Sequence, residues 1–186
     1  MSQTSPYRVP RSLFVIIIAL LAGMYYYAAY IDDTGPEQTV TKFYQAHFVR
    51  DFDTVSQNLS VFWAVRFLPQ YGDMTPAQLL ENRAAIEKDL SEVLAEGEKD
   101  TVIPENMTVA VKKEYTKEGK NSAVVVYEIK ENGKTTNTEA AVLIRENDKM
   151  RILEMVPVFP QSLEQIKQID TNALDENFAN LIGTEE

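Results

Sequence analysis

Apolar side chains follow one another along this chain in three successive spacings. The first is continuous: from Leu13 to Ile31 no side chain is charged. As a helix rising about 1.5 Å per residue, such a run matches the roughly 30 Å hydrocarbon layer of a bilayer, so it predicts a transmembrane helix over 13–31. A cleaved secretory leader has a shorter apolar stretch and small residues at its cleavage site. Here Tyr25, Tyr26, Tyr27 and Tyr30 crowd the far end, where tyrosine suits the headgroup layer. With Arg8 and Arg11 before the run and Asp32 and Asp33 after it, residues 1–12 are expected in the cytoplasm and the rest outside. Cleavage near Ala29, or burial as a core helix, are the alternatives.

The second spacing is helical. A linker over 32–36 holds the breakers Thr34, Gly35 and Pro36. Val40, Phe43, Tyr44, His47 and Phe48 then recur as one buried face of a helix, which Asp51-Phe52-Asp53 ends or bends. From Thr54 a second stripe of Val55, Leu59, Phe62, Trp63 and Phe67 runs to Pro69 and Gly72. Thr75-Pro76 supplies an N-cap and a first-turn proline for a third helix running to Gly97, with Leu79, Ile86, Leu90 and Val93 facing inward.

After Pro104 the pattern alternates, and 108–115, 122–130, 136–145 and 150–158 read as strands rich in valine, isoleucine and threonine. The polar connections 117–120, 131–134 and 146–149 suit antiparallel neighbours, and Asn132-Gly133 has the residues of a type I′ hairpin turn. The prediction is an α+β domain over 37–160: about three helices packed on a curved antiparallel sheet of about four strands. Beyond it, 161–186 is polar, with Leu163, Ile166, Ile169, Leu174, Phe178, Leu181 and Ile182 at loosely helical intervals. That tail either docks on the domain or stays free.

Composition narrows the chemistry. A charged fraction of 25% beside 45% hydrophobic residues suits a folded domain. The net charge of −10, with no basic patch interleaved with aromatics, argues against a nucleic-acid partner. Cysteine is absent and His47 is the single histidine, so no thiol chemistry, disulfide or transition-metal site is expected, and no cofactor.

The stretch Phe43-Tyr44-Gln45-Ala46-His47-Phe48-Val49-Arg50-Asp51-Phe52-Asp53-Thr54-Val55 resembles the first-helix junction of the nuclear-transport-factor-2-like, or cystatin-like, superfamily, and the order of elements over roughly 37–158 is similar to it. The resemblance implies a cone in which the sheet wraps the first helix and leaves a pocket. It extends to ketosteroid-isomerase-like enzymes, polyketide cyclases, non-catalytic ligand binders, domains preceding transpeptidases, and membrane-anchored assembly factors of type IV secretion systems. A membrane helix followed directly by such a domain is most similar to the last group and to bacterial surface proteins.

Within that frame, Tyr44, His47, Trp63 and Tyr127 are the candidate pocket-lining residues, although aromatics at helix or strand spacing are commonly core. Asp51, at i+4 from His47, is placed to orient the imidazole; catalysis would also need an open pocket within hydrogen-bond reach, and packing is the preferred reading. Glu114, Glu128, Glu139 and Glu154 alternate with apolar residues in the strands and are expected to face water. No phosphate loop, serine elbow or metal-spaced cluster is present. Asn58-Leu59-Ser60 and Asn106-Met107-Thr108 fit the glycosylation pattern, which arises often by chance. No catalytic residue is assigned.

The functional expectation is a membrane-anchored, extracytoplasmic, non-enzymatic interaction module of the bacterial cell envelope. Its partners would be the lipid bilayer, through the N-terminal helix with Arg8, Arg11, Tyr25, Tyr26, Tyr27 and Tyr30 at the interfaces, and another envelope protein or a second copy. The alternatives are a small apolar ligand binder or enzyme using the cone pocket, and an assembly scaffold of a secretion or conjugation-like system.

Overall fold

The computed structural model describes residues 17–23 and 35–182. The chain divides into two units, 1–33 and 34–186. In the first, residues 17–23 are helical. This corrects the transmembrane expectation: among the described residues no helix is long and apolar enough to cross a membrane. The membrane, signal-anchor and single-pass readings therefore have no support among the described residues. Residues 13–16 and 24–31, together with Arg8, Arg11, Tyr25, Tyr26, Tyr27 and Tyr30, lie outside the described residues.

The second unit is α+β. Helix α1 (Pro36–Phe48) begins after an extended Gly35 with proline in its first turn, and buries Thr39, Val40, Phe43, Tyr44 and Ala46. It ends where Arg50 adopts φ 60 and the Asp51 N–H bonds back to the Ala46 carbonyl at 2.9 Å. A left-handed arginine is strained by roughly 1–2 kcal/mol, and its guanidinium offsets this by donating to the Glu98 and Thr101 carbonyls at the far end of another helix.

The single helices expected over 54–67 and 75–97 are each broken. Helix α2 (Phe52–Asn58) stops because Leu59 and Ser60 are extended. Leu59 bridges to Ile152 on a strand edge, and the Ser60 N–H donates to the Ile152 carbonyl at 2.8 Å. Ser60 then caps the short α3 (Val61–Ala64). Helix α4 (Pro76–Glu81) opens with Thr75 and Gln78 in a capping box. It ends at Asn82, whose side-chain amide donates to the Gln78 carbonyl at 2.8 Å, competing with the helical ladder, and α5 (Arg83–Gly97) follows at once.

Five strands form the antiparallel sheet: β1 (Met107–Val111), β2 (Lys117–Glu118), β3 (Ser122–Glu131), β4 (Lys134–Glu146) and β5 (Lys149–Pro157). This is one more than expected, because Lys117 and Glu118 pair with β3 instead of serving only as a connection. The order is β1-β3-β4-β5, with β2 also on β3. Asn132 and Gly133 have φ 50 and 77, and Asn147 and Asp148 have φ 48 and 63. Positive values at both central residues are what type I′ turns require. Register shifts at Ile129/Lys130 and Val142/Leu143 curve the sheet.

The sheet is covered twice. Ala123, Val125, Tyr127, Ala141, Leu143 and Ile152 pack beneath the helices in the main core. On the other side Val124, Val126 and Ala140 meet Ile166 of the C-terminal segment, which comprises α6 (Leu163–Ile166) and α7 (Thr171–Ile182). The segment 160–182 is therefore docked.

Candidate functional site

Two of the candidate pocket residues meet in the interior. Tyr44 from α1 and Tyr127 from β3 bring their hydroxyls to 3.0 Å, and both reach Glu139 Oε2, at 2.9 and 2.8 Å. Glu139 stands directly opposite Tyr127 in the β3–β4 register, so it faces the core side and not water as expected. The alternation argument fails here because Ala140 to Ile144 are apolar on both faces of β4. Met155 sulfur closes the cluster at 3.8 Å from the Tyr44 hydroxyl.

Burial raises the pKa of both phenols, and the Glu139 charge raises each further. The two hydroxyls are thus held protonated as donors and cannot act as bases near neutrality. Tyr127 is 0% and Tyr44 8% exposed, so side chains fill this end of the interior and no substrate atom reaches the hydroxyls. The cluster is a hydrogen-bonded clamp between α1 and the sheet.

His47 sits outside it. Its Nε2 lies 3.1 Å from both carboxylate oxygens of Glu98, and its ring stacks on Phe43 at 6.3 Å between centroids. Asp51 is not its partner. Because α1 ends at Phe48, the i+4 geometry never forms, and Asp51 instead caps α2 by accepting from the Thr54 N–H and hydroxyl at 3.1 and 2.6 Å. Trp63 is half-buried on α3 with its ring 4.6 Å from that of Phe67, and takes no part in the tyrosine cluster. Asn58 is 8% exposed and donates to the Thr54 carbonyl at 2.7 Å, which excludes it as a glycosylation acceptor.

A second polar group joins the helices to the end of the sheet. Glu146, 1% exposed, accepts from the Ser60 hydroxyl and pairs with Arg83, which also pairs with Glu87 at 2.8 Å. Arg151 donates to the Gln57 carbonyl. Burial, with the Arg83 charge adding to it, pushes its guanidinium down to about 10. Glu146 reads from sequence as the start of a polar turn, so only the packed chain reveals it as a buried partner.

A cavity lies on the other face of the sheet. Its volume is about 370 Å³, with Val124, Ala140, Val142 and Val156 on the strand side and Ile166, Ile169 and Leu174 on the C-terminal side. Pro157 and Val158 lie between, and Ser162 is the one polar lining residue. None of the four sequence candidates lines it. The available signal was the uninterrupted apolar run Ala123 to Tyr127, which needs cover on both faces. Among the described residues no group of three or more histidine, aspartate or glutamate side chains is placed to hold a metal ion. No family model matches the chain, and neither a curated protein nor a solved structure matches it.

Proposed function

We propose that the domain is a non-enzymatic binding module, and that it takes an uncharged apolar molecule in the groove on the outer face of the sheet. The observation that carries this is the lining: aliphatic side chains and one proline, with Ser162 alone able to hydrogen-bond. The volume falls within the range of about 300–1,000 Å³ common to small-molecule sites. No charged side chain lines the groove, so an ionised headgroup would be desolvated there without a partner, whereas an alkyl chain or neutral ring would not. The inner tyrosine cluster supports the non-enzymatic part of the reading, because its groups are sealed and held protonated. Helix α1 packed on one face of the sheet also supports the resemblance to the nuclear-transport-factor-2-like superfamily, with the ligand moved from the cone interior to the opposite face.

The test uses a neutral hydrophobic fluorophore, N-phenyl-1-naphthylamine, titrated with the full chain and displaced by decanol. Saturable enhancement is expected, and Ala140→Phe, which fills the strand side of the groove, weakens binding by at least about tenfold with unchanged circular dichroism. An absence of saturable binding, or equal binding by the folded Ala140→Phe protein, overturns the reading.

A further inference from the structure

One carboxylate on the C-terminal side of the groove ties α7 to the turn before β3. Asp175 of α7 accepts from the Lys120 N–H at 2.6 Å, the Asn121 N–H at 2.9 Å and the Ser122 hydroxyl at 2.7 Å. The receiving turn is built by the sheet itself. The Ser122 carbonyl accepts from the Gly119 N–H and the Asn121 carbonyl from the Arg145 N–H, each at 2.8 Å. The Lys120 carbonyl accepts from Arg145 Nε at 2.8 Å. With the Lys120 carbonyl engaged by Arg145, the peptide plane that carries the Asn121 N–H is held by the sheet, and that N–H is aimed at the helix. Gly119 is required for the approach, since a Cβ there would lie 2.5 to 2.9 Å from the Asp175 carboxylate atoms.

The apolar contacts of the segment are mostly half-buried: Leu163, Ile169 and Leu174 pack beside Ile166 on the outer face, and Lys167 Nζ lies 4.9 Å over the Tyr115 ring. Ile166 is its one buried hydrophobic side chain among the described residues, and no described side chain of α7 is fully buried. Elements with little buried apolar area open locally at low cost. Leu174, the neighbour of Asp175 in sequence, lines the groove together with Ile166 and Ile169, so moving α7 removes one wall of the cavity.

We propose that the segment 160–182 is a lid on the outer-face groove, closed when Asp175 seats in the 119–122 turn and opened to admit ligand when that carboxylate leaves. The regulatory part of this proposal rests on the groove being the binding site; the opening itself does not. Ligand entry is then limited by the opening of α7.

Amide hydrogen exchange reads the opening without any ligand. In the full chain the amides of α7 should exchange well before those of β3. Asp175→Ala, which removes the acceptor, and Gly119→Ser, which crowds it out, should each speed α7 exchange by about tenfold or more while β3 is unchanged. The chain has no cysteine, which permits a clean lock. The Cβ built at Gly119 lies 2.9 Å from Asp175 Cγ, close to the roughly 3 Å that disulfide bond lengths set between one Cβ and the opposite sulfur. Gly119→Cys with Asp175→Cys, oxidised, should therefore slow association of N-phenyl-1-naphthylamine by about tenfold or more relative to the same protein reduced. If α7 exchanges only together with β3, or if neither single variant changes its rate, there is no lid. If α7 opens as expected but the oxidised and reduced proteins take up the probe equally fast, opening does not gate entry and the proposal fails as regulation. If α7 opens and no probe binds to any form, the groove reading fails while the opening stands.

Discussion

The two faces of β3 differ in what covers them. Ala123, Val125 and Tyr127 lie under α1, α2 and their neighbours in a continuous core where side chains leave no room for a ligand at the tyrosines. Val124 and Val126, one residue away along the same strand, lie under a segment that contributes Ile166 as its buried hydrophobic side chain and leaves a cavity beside it. The inner side is further tied by buried polar groups, Tyr44–Tyr127–Glu139 and Glu146–Arg83. The outer side is tied by Asp175 at the surface of a turn. Buried apolar side chains and buried polar ties are concentrated on the inner face.

The strongest test of that contrast is to delete the same atoms on each side. Ile152→Ala, at a site 0% exposed, should cost about 4–5 kcal/mol in urea unfolding, near the top of the range for such truncations. Glu146→Gln leaves the Arg83 charge without its buried counter-charge. It should cost about 3 kcal/mol, read as a lower urea midpoint at unchanged slope. On the outer face, Ile166→Ala should cost only about 2 kcal/mol, because the C-terminal segment can settle into a cavity already there. Equal losses for the two isoleucines would remove the distinction between the faces. Tyr127→Phe keeps the ring and deletes one donor to Glu139, for about 1–1.5 kcal/mol and no change in probe binding.

The smallest effect concerns acid. Burial pushes the Asp175 carboxyl up, but hydrogen bonds from Ser122, Asn121 and Lys120 outweigh it and hold the group below its ordinary value. A depressed acid stabilises the folded form in full above its unfolded value of about 3.9, and that contribution is lost as pH falls through the lower folded value. The Lys120 and Asn121 amide shifts should therefore stay constant from neutral pH down to about 4 and move below it. A transition centred above that value would show that the carboxylate is not held in the turn.

Much of the fold is legible in the sequence because it is local. The Asn132-Gly133 turn, the strand at Ser122–Glu131 and the N-cap at Thr75 each follow from neighbouring residues. The helix breaks at Ser60 and Asn82 are less so. Ser60 is extended because a strand more than ninety residues later takes its N–H, and no periodicity within 54–67 carries that information. The site was harder still. Of Tyr44, His47, Trp63 and Tyr127, the fold joins only the two tyrosines, and it adds Glu139, which alternation assigned to solvent.

By itself the chain determines most of the helical and extended segments, and that Ala123 to Tyr127 must be hidden on both sides, since backbone propensity and apolar spacing act over a few residues. Only the tertiary structure decides what does the hiding. Glu146 meets Ser60, and Asp175 meets Ser122, across separations of 86 and 53 residues. Burial of those groups is compensated by partners that only the folded chain brings within reach.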